Sequence, residues 1–271
     1  MSARAVAFAQ SYATTQANPV ENVASAAPAA VFLGLDGRPA GLGAAAVALS
    51  LAREWGSTLR VVSMLERERE LPLVGSAVSA GSSLIVIGLR DPSERAPFLV
   101  DEAVMRVMRR ACVPVLAVAS GTTQRPRNAV AAVDFSASSL NAARMALRVI
   151  EPGGTLFLAH VQPDFTSARA DSEEIALSYL RGIAGAFDNL LRELAPESKA
   201  RIEAVVLDGS PMGELTAFAD QVGATLIAVG TGRKEITASH GLARLATALL
   251  RERKHSVLSA PLPHREGCDQ S

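Results

Sequence analysis

Residues 225–250, TLIAVGTGRKEITASHGLARLATALL, combine residue types that can hold a phosphate group. A short apolar run ends at Gly230, a second glycine follows at Gly232, and a helical pattern begins near Gly241. Glycines let backbone N–H groups approach phosphate oxygens, and the N-terminus of a helix adds partial positive charge. The loop also carries three side chains that can donate to an anion: Arg233, Lys234 and His240. This spacing predicts a strand, a glycine-bearing loop and a helix arranged to bind an anion.

Two aspartates stand where an apolar run meets a helical pattern. Asp36 ends VFLGLD and Asp134 ends AVAAVD, and the two correspond at an offset of 98 residues. An aspartate in this position either caps the following helix, for which the sequence DFSASS is well suited, or binds a ligand at the edge of the sheet. Both interpretations of Asp134 stay open, and one carboxylate can serve both roles.

The chain contains one sequence pattern twice. Residues 31–65 and 129–161 both run from a strand through an aspartate and a small-residue helix to a second strand. Farther along, SLIVIG and VPVLAVAS match TLIAVG and HSVLSAPL, but there the offset is 142 residues. The larger offset means that the first copy lacks a segment between its second strand and its glycine-ended strand. The predicted domains are an N-terminal arm (1–29), a truncated copy (30–120), a linker (121–127), a complete copy (128–263) and a polar tail (264–271).

The complete copy alternates apolar strands with amphipathic helices. Strands are predicted at 128–134, 155–161, 201–207, 225–230 and 256–260, and helices at 138–150, 171–194, 212–222 and 241–253. This alternation is typical of the α/β class, in which helices cover both faces of a parallel sheet. Ligands of such folds bind beyond the carboxyl ends of the strands, where Asp134 and Gly230 are expected.

Composition limits the classes of function. Lys plus Arg and Asp plus Glu number 27 each, and only 4% of residues are aromatic, which disfavours binding to nucleic acid. No apolar run is long enough to span a membrane, and Cys112 and Cys268 stand too far apart to form a paired metal-binding motif. We therefore expect a cytoplasmic protein that binds neither nucleic acid nor membrane.

The order and lengths of these elements resemble the universal stress protein family in its tandem form. The resemblance is carried by AVAAVDFSASSLNAARMAL, LFLAHV, TLIAVGTGR and HGLARLATALLRERKHSVLSAP, and it covers about residues 30–263. It implies two parallel-sheet α/β domains with the adenine nucleotide alpha hydrolase-like fold, the first of them truncated. It also implies that the last strands, in VPVLAVAS and SVLSAPL, pair inside the chain. Whether two chains associate further as a homodimer is left open.

The same resemblance implies a set of nucleotide-binding residues in the second copy: Asp134, Val161, Val229, Gly230, Gly232 and Gly241. In family members that bind ATP, the aspartate lies near the base and ribose, a valine packs on the base, and a Gly-x-x-Gly-x9-Gly-Ser/Thr loop wraps the phosphates. Here each spacing is one residue short, and Leu242 replaces the hydroxyl-bearing residue. Loss of one charge-assisted hydrogen bond costs about 1.5–3 kcal/mol, and altered spacing re-aims the backbone amides. The cofactor expected of a retained site is ATP or another adenine nucleotide.

Three functions fit these residues. The first is a non-catalytic stress-response protein whose paired domains act as a regulatory or interaction module toward a protein partner that the sequence does not name. The second is a sensor that binds adenine nucleotide within residues 134–242, and the third is a slow ATPase. The sequence contains no GxxxxGK[ST], GxSxG or HExxH motif, and the loop of the first copy places Asp91 and Glu94 where phosphates would bind. We therefore favour the non-catalytic hypothesis and expect His160 to be a packed or hydrogen-bonded residue rather than a base.

Overall fold

The computed structural model describes residues 30–35, 40–64, 74, 84–91, 99–162, 172–231 and 242–262. Its strands are β1 (Ala30–Leu35), β2 (Thr58–Ser63), β3 (Leu84–Gly88), β4 (Val115–Val118), β5 (Asn128–Ala132), β6 (Thr155–Gln162), β7 (Arg201–Asp208), β8 (Leu226–Thr231) and β9 (Ser256–Pro261). Its helices are α1 (Ala40–Trp55), α2 (Leu99–Arg110), α3 (Ala137–Val149), α4 (Ser172–Leu194), α5 (Pro211–Gln221) and α6 (Leu242–Glu252), and a 3₁₀ turn follows at Ala195–Glu197. Across these ranges, no helix has both the length and the apolar character needed to cross a membrane.

The strands of the described residues form one continuous nine-stranded sheet, in the order β2-β1-β3-β4-β9-β8-β5-β6-β7. Neighbouring strands are parallel except at the junction, where β4 and β9 run antiparallel and Leu116 pairs with Leu258. Residues 128–261 contribute five strands to this sheet, and residues 30–118 contribute four. The predicted α/β class with a predominantly parallel sheet is confirmed. Pairing β4 with β9 also covers two apolar edges that would otherwise be open to aggregation.

The second half follows the elements that its sequence pattern predicts. Strand β5 is two residues shorter than expected, because the chain turns at Asp134 and Phe135 has a φ of 63°. Every other element end in this half differs from the prediction by one residue at most. The agreement reflects strong apolar periodicity, which marks strands and helices more reliably than it marks their last residues.

Helices cover both faces of the sheet, since successive residues of a strand point to opposite sides. One core cluster, which includes Leu116 and Leu158, packs beneath α1, α3 and α4. The other cluster, which includes Phe32 and Val229, packs beneath α2, α5 and α6. Strands buried on both faces have no polar side to alternate with, which explains why their sequences read as nearly continuous runs of Val, Ala, Leu and Ile.

The segment between the two halves is held by Arg125, which is only 8% exposed. Its Nε donates to the carbonyl oxygen of Val149 at 2.9 Å, and its Nη2 donates to that of Arg148 at 3.1 Å. The guanidinium also donates to the carbonyl oxygen of Ile150 and pairs with Glu54 of α1. Carbonyl groups at the end of a helix have no partner within it, so Arg125 caps α3 and ties it to α1.

An ion cluster at the end of α5 makes stability depend on pH. Asp220 accepts a hydrogen bond from Lys254, and its other carboxylate oxygen lies 3.1 Å from Nε2 of the buried His255. The hydrogen bond from Lys254 lowers the pKa of the Asp220 carboxyl below its ordinary value. A carboxyl whose pKa is lower in the folded state stabilises the fold above its unfolded pKa, near about 4, and this contribution disappears as the pH falls through the folded value.

We expect Asp220→Asn to lower the melting temperature at neutral pH and to have progressively less effect below about pH 4. The effect should be modest, because the Asp220 side chain is 44% exposed and water screens its interactions. Thermal melting of both proteins between about pH 2 and 7 measures the difference. A difference that stays constant over this range would contradict the assignment.

Candidate functional site

The predicted ligand edge lies where β5 and β8 meet the first turn of α3. These two strands are neighbours, and the chain leaves β5 toward β6 on one side of it while β8 and β9 lie on the other. Such a change of direction leaves a crevice beyond the carboxyl ends of parallel strands. Asp134 directly follows β5 and Gly230 lies near the end of β8, so the fold brings these two predicted residues to the same edge.

Asp134 is exposed, and its carboxylate takes part in capping α3. Its Oδ1 accepts hydrogen bonds from the backbone N–H of Ser136 at 3.0 Å and from the Ser136 hydroxyl at 2.6 Å. The Ser136 hydroxyl oxygen in turn accepts from the backbone N–H of Ser139 at 3.2 Å, which makes Ser136 the N-cap residue. The predicted cap chemistry of DFSASS is therefore present, with Ser136 as the cap and Asp134 orienting it.

Gly230 is in close contact with the same turn of α3. A Cβ atom at this position would lie 2.4 Å from the carbonyl carbon of Ser138 and 2.5 Å from the backbone nitrogen of Ser139. Both serines are almost completely buried. Contacts this short do not occur between real Cβ atoms and backbone, so the packing of β8 against α3 by itself requires glycine here.

A cluster of rings lies beneath the same edge. Phe135 has a backbone conformation in the left-handed region, and its ring centroid lies 4.9 Å from that of His160 and 5.1 Å from that of Phe187. Nδ1 of His160 lies 2.8 Å from the carbonyl oxygen of Val133, and Nε2 lies 3.1 Å from the Tyr179 hydroxyl. These contacts fit the packed, hydrogen-bonded role expected of His160 and link β5, β6 and α4.

The sequence pattern did not single out Phe135 or Tyr179. One signal was present for Phe135, since at the offset of 98 residues the first copy has Gly37 there. Glycine is the residue that most readily adopts a positive φ, so the repeat marks this position as a left-handed turn. Tyr179 left no such signal, because its contact with His160 depends on how α4 lies across β6.

The other predicted nucleotide-binding residues are divided between described and undescribed parts of the chain. Val229 is completely buried in the core on the α5–α6 face, and Val161 is half-buried at the end of β6 on that same face. Gly232 and Gly241 lie outside the described residues, as do the three loop side chains that could donate to an anion: Arg233, Lys234 and His240. The described residues thus bring together Asp134, Val229 and Gly230.

The described part of this edge offers limited chemistry. An exposed carboxylate such as that of Asp134 can accept hydrogen bonds from a hydroxyl-bearing ligand. Within the described ranges, no group of three or more His, Cys, Asp or Glu side chains could hold a metal ion. Both ring nitrogens of His160 already lie within hydrogen-bonding distance of protein atoms. The arrangement therefore builds the first turn of α3 and presents one acidic group to solvent.

Comparison with known proteins agrees with this architecture. The fold is similar to that of a universal stress protein from Archaeoglobus fulgidus DSM 4304, with 13% sequence identity, 86% of this chain and 96% of that chain covered, and a TM-score of 0.51. It is also similar to a functionally unknown protein from Pseudomonas aeruginosa PAO1, with 15% identity, 88% and 94% coverage, and a TM-score of 0.54. A universal stress protein in complex with cAMP matches 51% of this chain and 99% of its own, with 22% identity and a TM-score of 0.41.

The sequence itself gives a more specific result. No curated protein matches the chain. A sequence model of the universal stress protein family matches residues 126–261, which is half of the chain and contains every element from β5 to β9. The chain therefore belongs to the universal stress protein family.

Proposed function

We propose that this chain is a non-catalytic stress-response protein whose two halves act together as an interaction module for a protein partner. Membership in the universal stress protein family supports the role in stress response. The non-catalytic part of the proposal depends on one observation. Asp134 and Gly230, which match the family's acid and first loop glycine, are both engaged in building the first turn of α3.

Engagement in the fold reduces what these residues can contribute to a ligand. To bind a ribose hydroxyl with the same oxygen, Asp134 would have to share or give up its hydrogen bonds to Ser136. The steric need for Gly230 is met entirely by α3, so the glycine is not by itself a sign of a bound phosphate. At the start of α6, Leu242 supplies no hydroxyl donor for a phosphate oxygen. These features together favour a site that keeps its shape without binding nucleotide.

Thermal melting in the presence of nucleotide tests this proposal. We expect no rise in melting temperature with millimolar ATP and Mg²⁺ or with cAMP, the nucleotide held by one similar protein. We also expect no adenine nucleotide to be released when the purified protein is denatured. A ligand that binds only the folded state and is present at about a hundredfold excess over its Kd would add about 2.7 kcal/mol of stability. Such a shift would overturn the proposal in favour of a sensor.

A double-mutant cycle separates a capping role of Asp134 from a ligand-binding role. We expect Asp134→Ala and Ser136→Ala each to lower the free energy of unfolding by about 1 kcal/mol, and the double variant to lose little more than either single one. The reason is that Asp134 acts on α3 through Ser136. Urea unfolding with and without ATP gives both quantities. Additive losses, or ATP-dependent phosphate release that disappears in Asp134→Ala, would contradict the proposed role.

A further inference from the structure

Four large apolar side chains in the described part of the chain are well exposed: Leu42, Leu49, Val61 and Leu262. Leu42 and Leu49 stand two turns apart on one face of α1, and Val61 lies in β2, the outer strand of the smaller half. We call these three residues the α1–β2 surface. Exposed apolar residues scattered singly need no explanation, but a set gathered at one end of a sheet indicates a surface that something covers.

The helical residues of this surface have better-covered counterparts in the larger half. At the offset of 98 residues, Leu42 corresponds to Leu140 and Leu49 to Leu147. The offset holds for packing as well, because the buried positions 44, 47, 48, 51 and 52 of α1 correspond to buried positions 142, 145, 146, 149 and 150. Leu42 is 74% exposed, whereas Leu140 and Leu147 pack against the core cluster to which α4 contributes.

Val61 differs even more from its counterpart. It pairs with Leu33 of β1 in the same register in which Leu158 pairs with Ala131 of β5. Val61 is 58% exposed, but Leu158 is 0% exposed. The larger half covers this position with α4, whose Phe187 belongs to the same core cluster as Leu158. The smaller half therefore has an apolar surface of the kind that an amphipathic helix covers in the larger half.

The chain that joins β2 to β3 does not account for this cover. Val74, its one described residue, packs against the core cluster on the opposite face of the sheet. The segment before β1 is better placed, since it ends at Ala30, which pairs with Thr58 of β2. Residues 1–29 are also long enough, because α4 covers the equivalent surface with 23 residues.

The sequence of this N-terminal segment fits the same task. Apolar residues stand at intervals of three and four, which is the spacing of one helix face: Ala5, Phe8, Ala9 and Tyr12. In α4 the buried residues have a comparable spacing: Ile183, Phe187, Leu190 and Leu194. Both sets place an aromatic ring among aliphatic residues along one stripe.

We propose that residues 1–29 bind the α1–β2 surface as an amphipathic helix and take the place that α4 has in the larger half. The proposal goes beyond the function argued above and is independent of whether nucleotide binds. It assigns a defined role to a segment that precedes both halves of the sheet, namely completion of the smaller half.

Photo-crosslinking tests the contact without disturbing the fold. Position 61 is replaced by p-benzoylphenylalanine in the full chain, and position 262 serves as the control because Leu262 is equally apolar and exposed but lies at the end of β9. After irradiation, peptides joined to position 61 are identified by mass spectrometry. We expect crosslinks from position 61 to residues 1–29 of the same chain and none from position 262. Crosslinks from position 61 to a second copy would overturn the proposal, as would the absence of any crosslink to residues 1–29.

Limited proteolysis gives a second measurement. Chymotrypsin cleaves after Phe8 and Tyr12, so docking of this segment should protect both sites. We expect Leu49→Asp and Val61→Asp to speed cleavage there by about tenfold, because proteolysis follows the population of the undocked form. Leu262→Asp should leave the rate unchanged. Equal rates in all the variants and the parent protein would overturn the proposal. So would a dimer, seen by light scattering, that Val61→Asp converts to a monomer.

Discussion

Replacing Arg125 with methionine should lower the free energy of unfolding by about 3 kcal/mol or more, the largest loss that we expect from any single side chain of the segment between the halves. Methionine retains much of the apolar volume but donates no hydrogen bond. The carbonyl groups of Arg148, Val149 and Ile150 would then end α3 without the partner that the guanidinium provides. Urea unfolding followed by circular dichroism measures the loss.

The setting of Arg125 explains why the expected effect is large. Burial lowers the pKa of its guanidinium, and the charge of Glu151 opposes that shift, but the group stays protonated at any ordinary pH. Removing a buried, hydrogen-bonded cation also leaves its partner Glu54 without a counter-charge. Since the Glu54 side chain is 36% exposed, we expect Glu54→Gln to cost much less than the loss of Arg125.

Arg127→Met is the matched control for this prediction. Arg127 lies two residues further along the same segment and is exposed, so its replacement should change the free energy of unfolding by less than about 0.5 kcal/mol. Similar losses for Arg125→Met and Arg127→Met would show that the segment is held by general charge rather than by the contacts of one guanidinium.

The second large effect is expected at Gly230. Gly230→Ala should lower the free energy of unfolding by about 1–3 kcal/mol, and Gly230→Val by more, because the added Cβ overlaps backbone atoms of Ser138 and Ser139. Backbone cannot rotate away as a side chain can, so β8 and α3 would have to separate. Both variants should melt at lower temperature whether or not ATP is present.

Glycines of α4 provide the control for the same substitution. Gly182 and Gly185 lie within α4, and a Cβ at either position would meet nothing within 4 Å. Gly182→Ala and Gly185→Ala should therefore raise the free energy of unfolding, each by about 0.4–1 kcal/mol, by lowering the entropy of the unfolded chain. A Gly230→Ala variant as stable as these two would contradict the close packing of β8 on α3.

This packing also changes how a glycine in the candidate site is to be tested. A loss of nucleotide binding in Gly230→Val could come from displaced backbone alone, because the strand–helix contact needs glycine independently of any ligand. Asp134 is the better position for a binding test. Its side chain is exposed, and the expected cost of truncating it can be compared directly with that of Ser136→Ala.

Much of the architecture was predictable because it is written in local patterns. Apolar runs of strand length, amphipathic stretches and glycines at their ends placed β5 to β9 and α3 to α6 to within one or two residues. The change of offset from 98 to 142 residues showed that the first copy is shorter. The candidate edge was also predictable, since parallel α/β sheets place strand-end residues such as Asp134 and Gly230 together.

What those residues do at the edge was not predictable from the same patterns. In the sequence, Gly230 is a glycine before a loop, Arg125 is one of several charges in a polar segment, and Val61 is one apolar residue in a strand. The tertiary structure alone shows that Gly230 touches α3, that Arg125 closes the end of that helix, and that Val61 lacks the cover that Leu158 has. Local sequence encodes periodicity and turn chemistry over a few residues. Contacts between distant segments depend instead on register and on packing distances of a few tenths of an ångström, which no short window of sequence contains.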